Sequence, residues 1–315
     1  MLNLNIKAHF LWATYIFGIS CSKGDVIVDT TSPIDTSQET AVEVVPLTCP
    51  ISEIEETMGS LVAPVLNEVS GVVHSELNDG LLWVHNDSGD SPRIFGITEE
   101  GELIVTLNFS GVGAGDFEDI AFGELLYVGD VGDNAGVRES VFVYGVHEPD
   151  VEVGLGQYQE DIDVETYELT YPDGPENVEA MWVDPYNDDI YLLAKVTNQP
   201  AGVYRKSAPH LDGSTTELEL VASLDFSIPP LVGLATGADM SRDGTMIVVR
   251  GYIGSWVWLR DVGETVTDAL AKPPCQVLVP AERQSESIGF NVDGTGLYSI
   301  SEGAGEAVYF IPFQE

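Results

Sequence analysis

Hydrophobic and polar positions along the chain repeat as a unit of short apolar strands separated by polar turns. The unit is clearest in Asp116–Asn134, where an acidic residue, an apolar strand, a turn, a second strand and a polar loop follow one another. Blurred copies begin at Glu68, Glu176, Thr236 and Gln284. A self-similar period of roughly 45 to 60 residues with paired strands is the sequence signature of a β-propeller blade.

Each repeat contains segments for four short strands, except the last, which supplies three and ends at Val308–Pro312. The missing strand can come from residues 48–65, which would close the ring. Helical periodicity is absent; the best candidate, Ile51–Leu66, is interrupted by Gly59 and Pro64. We therefore predict an all-β fold, a single β-propeller of five four-stranded blades closed by the N-terminal strand. Six blades is the alternative if residues 148–175 contain an additional hairpin.

The N-terminal segment has the pattern of an export signal. Lys7 precedes the apolar run Phe10–Ser20, which is too short to span a bilayer but suits the hydrophobic region of a signal peptide. Cys21 follows directly, as in bacterial lipoproteins, and a polar tract comes after it. We predict a signal peptide over residues 1–20, a disordered tether over 21–45 that follows a lipidated Cys21, and a propeller over 46–315. Cleavage near Ser20 without lipidation is the alternative.

Charge and cysteines narrow the setting. The chain has 12 basic and 52 acidic residues, a net charge of -40, which excludes nucleic acid and anionic membrane surfaces as partners. Once Cys21 is acylated, Cys49 and Cys275 are free to pair, and a ring would bring them together. Two unpaired buried thiols are the alternative. We expect an exported monomer at the outer membrane or cell surface that contacts membrane only through a lipid anchor, or else a soluble periplasmic or secreted protein.

The acidic positions of the repeats should converge in a propeller. The first two strands of a blade are antiparallel, so the start of the first and the end of the second lie on one face of the disc. Glu118, Glu179 and Glu286 occupy matching positions early in the first strand, where the other repeats have Ser70 and Thr236. The resulting candidate ligand-binding residues at one channel mouth are His85, Asn86, Asp87, Asp130, Asp133, Asn134, Glu286 and Glu302.

Crowded carboxylates raise one another's pKa or recruit a cation. Their hard oxygens suit calcium and not zinc, so calcium is the candidate cofactor. The candidate metal ligands are Asp116, Glu118, Asp130 and Glu179. Two other interpretations stay open. The acids either hydrogen-bond the neighbouring blade or form a catalytic site, for which Lys195, Arg250 and Glu118 are the candidates.

Several motifs resemble those of a known group. Trp83–Gly89, Phe117–Ala121, Tyr127–Asn134 and Gln284–Ile288 with Ser301–Gly303 are similar to poorly characterised bacterial exported β-propeller proteins, often labelled lipoproteins. That group is distantly similar to esterase-like phytase and other calcium-dependent propellers, and the resemblance covers residues 46–315. It implies a fold more than a reaction.

The sequence supports two functions. The first is a tethered binding module that presents its acidic mouth to a small molecule, a glycan or a protein. The alternative is a metal-dependent hydrolase of a phosphoester or carboxylic ester, in which Lys195 and Arg250 steady the developing anion. Phytase-like propellers gather several basic side chains for phosphate, whereas this chain offers two. No Gly-x-Ser-x-Gly motif occurs, so an activated serine has no support. The sequence leaves open whether any reaction is catalysed.

Overall fold

β-branched and aromatic residues dominate the short runs between Asn-, Asp- and Gly-rich turns, and these runs form the strands of a five-bladed β-propeller. The computed structural model describes residues 47–151, 156–197, 199–226 and 233–314. The predicted signal peptide, Cys21 and nearly all of the predicted tether and its junction lie outside these residues. No helix in the described ranges has the length and apolar character needed to cross a membrane.

Every blade has a four-stranded antiparallel meander, numbered here from the channel outward. Blade 1 contains β2 (Val69–His74), β3 (Leu81–Asn86), β4 (Arg93–Thr98) and β5 (Leu103–Phe109). Blade 2 contains β6 (Phe117–Phe122), β7 (Leu126–Asp130), β8 (Val141–Val146) and β10 (Glu165–Thr170). Blade 3 contains β11 (Val178–Val183), β12 (Ile190–Ala194), β13 (Ala201–Lys206) and β15 (Glu219–Leu224). Blade 4 contains β16 (Ala235–Met240), β17 (Met246–Gly251), β18 (Gly254–Leu259) and β19 (Cys275–Val277). Blade 5 contains β20 (Ser285–Phe290), β21 (Gly296–Ser301), β22 (Ala307–Pro312) and β1 (Glu56–Ser60).

The ring closes as the sequence predicts. β1 pairs antiparallel with β22, so the N-terminal strand completes the last blade. The innermost strands β2, β6, β11, β16 and β20 each contact the innermost strands of both neighbours. Cys49 is bonded to Cys275 of β19, with their Cα atoms 5.5 Å apart, which confirms the predicted disulfide. The disulfide therefore joins the chain's N-terminal part to blade 4, beside the seam of the ring.

The connections between the third and fourth strands reach back over the preceding blade. β9 (Tyr158–Ile162) leaves blade 2 and pairs parallel with β5 of blade 1. β14 (Ser214–Glu217) leaves blade 3 and pairs parallel with β10 of blade 2. A short helix, α1 (Val266–Leu270), leaves blade 4 and packs on β15 of blade 3. Each outer edge that is covered in this way is protected from pairing with another chain.

These connections correct two sequence predictions. Residues 148–175 contain β9 and β10, which join blades 1 and 2, so the six-bladed alternative is wrong. The strand predicted at 216–224 is two strands, β14 and β15, in different blades. The helix α1 was also missed, because a single turn capped by Thr265 is too short to show a period.

The hydrophobic core consists of five slabs, one between each pair of neighbouring blades. The slab between blades 3 and 4, for example, contains the fully buried Trp182, Trp256 and Trp258. Burial of apolar area contributes about 25 cal/mol per Å². The centre of the ring is left to polar groups, and these position the candidate site.

Candidate functional site

A β-bulge stands at the same place in all five innermost strands. In each blade the pairing of the first two strands skips one residue of the inner strand. The skipped residues are Ser70, Glu118, Glu179, Thr236 and Glu286, which are the five positions that the repeat alignment matched. A bulge leaves its extra residue unpaired and re-aims its side chain. The repeat thus delivers one re-aimed side chain per blade to one end of the channel.

The five bulge residues divide into two kinds. The Ser70 hydroxyl donates to the carbonyl of Glu118 at 2.8 Å, and the Thr236 hydroxyl donates to the carbonyl of Ser285 at 2.7 Å. Both bonds run from one blade to the next and are buried. The hydroxyl bulges therefore tie neighbouring blades together, whereas the three glutamates have another environment.

The glutamates gather with aspartates from adjacent loops into what we call the acidic cluster. Oxygens of Asp87, Asp116 and Glu118 all lie within 4.8 Å of one another. Glu118 also interacts with Glu179, and Glu286 interacts with Glu302. The acidic cluster consists of Asp87, Asp116, Glu118, Glu179, Glu286 and Glu302.

One cation and one phenol hold part of the acidic cluster. Lys195 Nζ lies 2.9 Å from Glu179 Oε1 and donates to the Tyr252 hydroxyl at 3.0 Å. Tyr252 in turn donates to Glu286 Oε1 at 3.0 Å. Burial opposes the charge of Lys195, but Glu179 and Tyr252 outweigh it and raise the lysine pKa. The ammonium neutralises the Glu179 side of the cluster and leaves Asp87, Asp116 and Glu118 without a close lysine.

The carboxyl groups of this unpaired side hold protons more tightly than usual. Burial, reinforced by Asp116, Glu286 and Glu179, raises the pKa of Asp87 to about 7. Burial and then Glu179 raise the pKa of Glu118 well above its usual range. Such like-charge crowding is unstable unless protons or a cation compensate it.

At the other edge of the cluster, Glu302 and Glu286 share a similar conflict. Burial is the main reason that the pKa of Glu302 rises to about 8, and contacts with Glu68 and Glu286 add to the effect. Burial also raises the pKa of Glu286, although Lys195 and Tyr252 act in the opposite direction. This edge therefore retains a proton near neutral pH.

Backbone approach at Gly132 leaves room for the carboxylates. A Cβ atom on this residue would lie 1.9 Å from Glu118 Oε1 and 2.5 Å from Asp116 Oδ2. Those distances are shorter than any nonbonded contact, so a side chain here would displace both oxygens. The Val131–Asn134 loop therefore forms one wall of a close-fitting oxygen cradle.

Several predicted residues position the cradle rather than face it. Asp130 accepts the backbone N–H groups of Gly115 and Asp116, each at 2.9 Å, and pairs with Arg138 at 2.8 Å. Asp133 accepts the N–H of Arg138 at 2.7 Å, and its own N–H donates to Asn177. Asp130 was expected as a metal ligand; the structure instead shows its carboxylate bonded to the loop that carries Asp116.

The amides of the two loops have similar roles. Asn86 donates to the carbonyl of Val65 at 2.7 Å and to Asp90 at 2.8 Å, which fixes the loop of Asp87. The Asn134 side chain lies 3.4 Å from the amide of Asn177. Both predicted ligand-binding amides are therefore engaged by protein groups.

His85 and Arg250 lie apart from the predicted roles. His85 is fully buried, accepts or donates through Nδ1 at the carbonyl of Asn86, and burial lowers its pKa to about 4. Arg250, expected to steady an anion, is buried and pairs with Glu282 and Ser299. Of the three catalytic candidates, the structure brings Lys195 and Glu118 together in the acidic cluster and commits Arg250 elsewhere.

The channel itself contains carboxylates that the repeat alignment did not single out. Asp119 is fully buried and accepts N–H groups from three blades, those of Ile120 at 2.9 Å, Met181 at 2.8 Å and Ala238 at 3.0 Å. Asp239 accepts the N–H groups of Met240 and Phe290, each at 2.8 Å. A charged residue inside an apolar inner strand is the only sequence signal for such a role.

The far end of the channel is crossed by a cation. Arg242, in the turn between β16 and β17 of blade 4, donates to the carbonyl of His74 at 2.9 Å and pairs with Glu76 of blade 1 at 3.1 Å. Its guanidinium lies 4.2 Å from the ring centre of Phe122 in blade 2. The channel therefore has an acidic end and a cationic end, with Asp119 and Asp239 between them.

Comparison with known proteins adds architecture only. No family model matches the chain, and no curated protein matches it significantly. Among solved structures, the PQQ-bound aldose sugar dehydrogenase from Streptomyces coelicolor is similar at 12% identity and a TM-score of 0.45, covering 83% of this chain and 98% of that one. A gluconolactonase from Xanthomonas campestris is similar at 14% identity and a TM-score of 0.44, covering 85% and 96%. The WD40 repeats of RRP9 are similar at 12% identity and a TM-score of 0.41, covering 77% and 79%. At these values no activity is taken from them.

Proposed function

We propose that the chain is a binding module whose acidic cluster takes up a divalent cation of the calcium type. The observation that carries this is the close approach of Asp87, Asp116 and Glu118, with oxygens within 4.8 Å of one another. Calcium takes oxygen ligands at about 2.3 to 2.6 Å, so oxygens around one ion are separated by up to about 5 Å. Their separation, their chemistry and the cradle at Gly132 all fit such an ion.

The distribution of charge supports the same proposal. Lys195 is held by Glu179 and Tyr252, so it does not neutralise the other side of the cluster. The raised pKa values of Asp87 and Glu118 describe carboxyl groups that must exchange protons for another cation when they ionise. A bound cation would offer open coordination positions at the mouth to oxygen atoms of a small molecule, a glycan or a protein.

Calorimetric titration with Ca²⁺ tests the proposal. We expect saturable binding to the natural chain and at least about a tenfold weaker affinity for the Asp87→Asn/Glu118→Gln double variant, because it removes two of the three anionic ligands. The matched control is Glu160→Gln/Glu217→Gln, which removes the same charge from exposed positions on the outer strands β9 and β14. Absence of saturable binding, or equal weakening in the control, would contradict a specific site.

The hydrolase alternative has less support from the geometry. Arg250 pairs with Glu282 where both side chains are almost fully buried, so it cannot reach an anion at the mouth without breaking that pair. Lys195 is the remaining cation, and it is shared with Glu179. Calcium-dependent turnover of a phosphoester that disappears in Glu118→Gln would reverse this preference.

Export and tethering through Cys21 belong to the same proposal. The Cys49–Cys275 disulfide supports an oxidising compartment, where such bonds persist. We expect the protein in the membrane fraction when it is produced in a bacterium with lipoprotein processing, and the Cys21→Ser variant in the soluble exported fraction. Intact mass of the purified protein would show a lipidated N-terminus in the first case; a full-length, unprocessed chain would contradict export.

A further inference from the structure

A second cavity lies on the face of the disc opposite the acidic cluster, between blades 2 and 3. Its volume is about 500 Å³. The turn between β6 and β7, the turn between β11 and β12 and the loop after β13 form its rim. Three carboxylates line it, those of Glu124, Glu165 and Asp188, and none of its lining residues among the described part of the chain is a lysine or arginine.

Two buried tyrosines form the floor and leave the negative charge uncompensated. The Tyr127 hydroxyl donates to Asp188 Oδ2 at 2.5 Å, and the Tyr167 hydroxyl donates to Glu165 Oε2 at 2.5 Å. Burial raises the pKa of both phenols, and the nearby carboxylates raise it further. The tyrosines therefore stay neutral, and each carboxylate keeps its full charge beside an aromatic ring.

A lysine behind the cavity shows what this environment accepts. Lys206 is buried, with Nζ 5.3 Å from the ring centre of Tyr167 and 2.7 Å from His210 Nδ1. His210 Nε2 lies 2.7 Å from the carbonyl of Asp188. Burial lowers the pKa of Lys206 and of His210, so this pair does not supply a second positive charge to the cavity. An ammonium group over a tyrosine face next to carboxylates is a favourable arrangement.

We propose that this cavity binds a small organic amine that carries at least two ammonium groups. The cavity is much larger than a single ion, and the one group of three acidic or histidine ligand atoms within 4.8 Å in the described residues lies at the acidic cluster instead. The three carboxylates of the cavity come from the β6–β7 turn, β10 and the β11–β12 turn, so they present separate anionic points. A flexible polyamine matches that spacing of charge, and its methylene segments can cover the aromatic floor.

Spermidine is the probe, used in a calorimetric titration of the full chain at about 0.15 M salt, where the Debye length is about 8 Å. Saturating Ca²⁺ is present so that the acidic cluster is occupied or screened. We expect one equivalent of spermidine to bind, and the Glu124→Gln/Glu165→Gln variant to bind about tenfold more weakly, which corresponds to about 1.4 kcal/mol. The variant's melting temperature is measured alongside to verify that it is folded.

Two controls separate this site from the general field of a chain with a net charge of -40. Glu160→Gln/Glu217→Gln removes the same two charges from exposed outer strands and should change the affinity less than about twofold, because screening limits their reach. Asp87→Asn/Glu118→Gln should also leave spermidine binding unchanged. Equal weakening in the first control, loss of binding in the second, or no saturable binding at all would overturn the proposal.

Discussion

The acidic cluster and the interior of the channel both contain buried carboxylates, yet their partners differ. Asp119 and Asp239 are surrounded by backbone N–H groups from neighbouring blades, which act as fixed donors to the carboxylate. Asp87, Asp116 and Glu118 face one another. A buried carboxylate with several donors is a structural element, whereas carboxylates that face one another need a proton or a cation from outside. The difference teaches that burial alone does not identify a binding site; the partners of the buried group do.

The largest expected effect concerns stability. Asp119→Ala removes the acceptor for the N–H groups of Ile120, Met181 and Ala238 and leaves them unpaired in the centre of the ring. Since each unsatisfied buried group costs about 1 to 3 kcal/mol, we expect a loss of roughly 3 to 5 kcal/mol in the free energy of unfolding, measured by urea denaturation. Glu118→Gln, in the acidic cluster, should change it by less than about 1 kcal/mol without Ca²⁺. Similar losses in the two variants would remove the distinction between the regions.

The pH dependence of stability should differ between metal-free and Ca²⁺-loaded protein. The pKa of Asp87 is about 7 in the folded chain, above its usual value of 3.8, so between these values the folded state binds more protons than the unfolded state. Stability therefore falls as pH rises through this window, by on the order of 2 kcal/mol for this group. Saturating Ca²⁺ should remove most of the fall, because the ion replaces the proton.

Melting curves from pH 5 to pH 8, with Ca²⁺ and with a chelator, measure this effect. Asp87→Asn provides the control, since it should flatten the metal-free curve. The pKa of Asp239 is raised to about 6 by burial, and its share of the pH dependence should persist with Ca²⁺. Curves that are parallel with and without the ion would contradict the proposed role of the acidic cluster.

The smallest effect concerns the hydroxyl bulges. Ser70→Ala removes the hydrogen bond to the Glu118 carbonyl and should cost about 1 kcal/mol in the free energy of unfolding, without a direct change in the cation ligands. Ca²⁺ affinity measured by calorimetry should stay within about threefold of the natural chain. Thr236→Ser, which keeps its hydroxyl, is the matched control for blade 4. A large loss of affinity in Ser70→Ala would show that this bulge shapes the cluster as well as the ring.

The sequence by itself determined the repeat, the strand order and the pairing of Cys49 with Cys275. Alternation and turn signals are local, and a ring of similar units has few ways to close, so β1 could be assigned to the last blade before its partner was seen. The repeat alignment also identified the five bulge positions, because the bulge recurs at the same place in every blade.

Only the tertiary structure decided what each acid does. Glu118 and Asp119 are adjacent in sequence, but the bulge sends Glu118 toward other carboxylates, while Asp119 accepts N–H groups from blades 3 and 4. Arg250 likewise has the sequence of a mouth residue and the contacts of an interface residue. Periodicity specifies which strand a residue occupies, but the partner of a buried charge comes from residues distant in sequence. Its role is therefore fixed only when the blades pack.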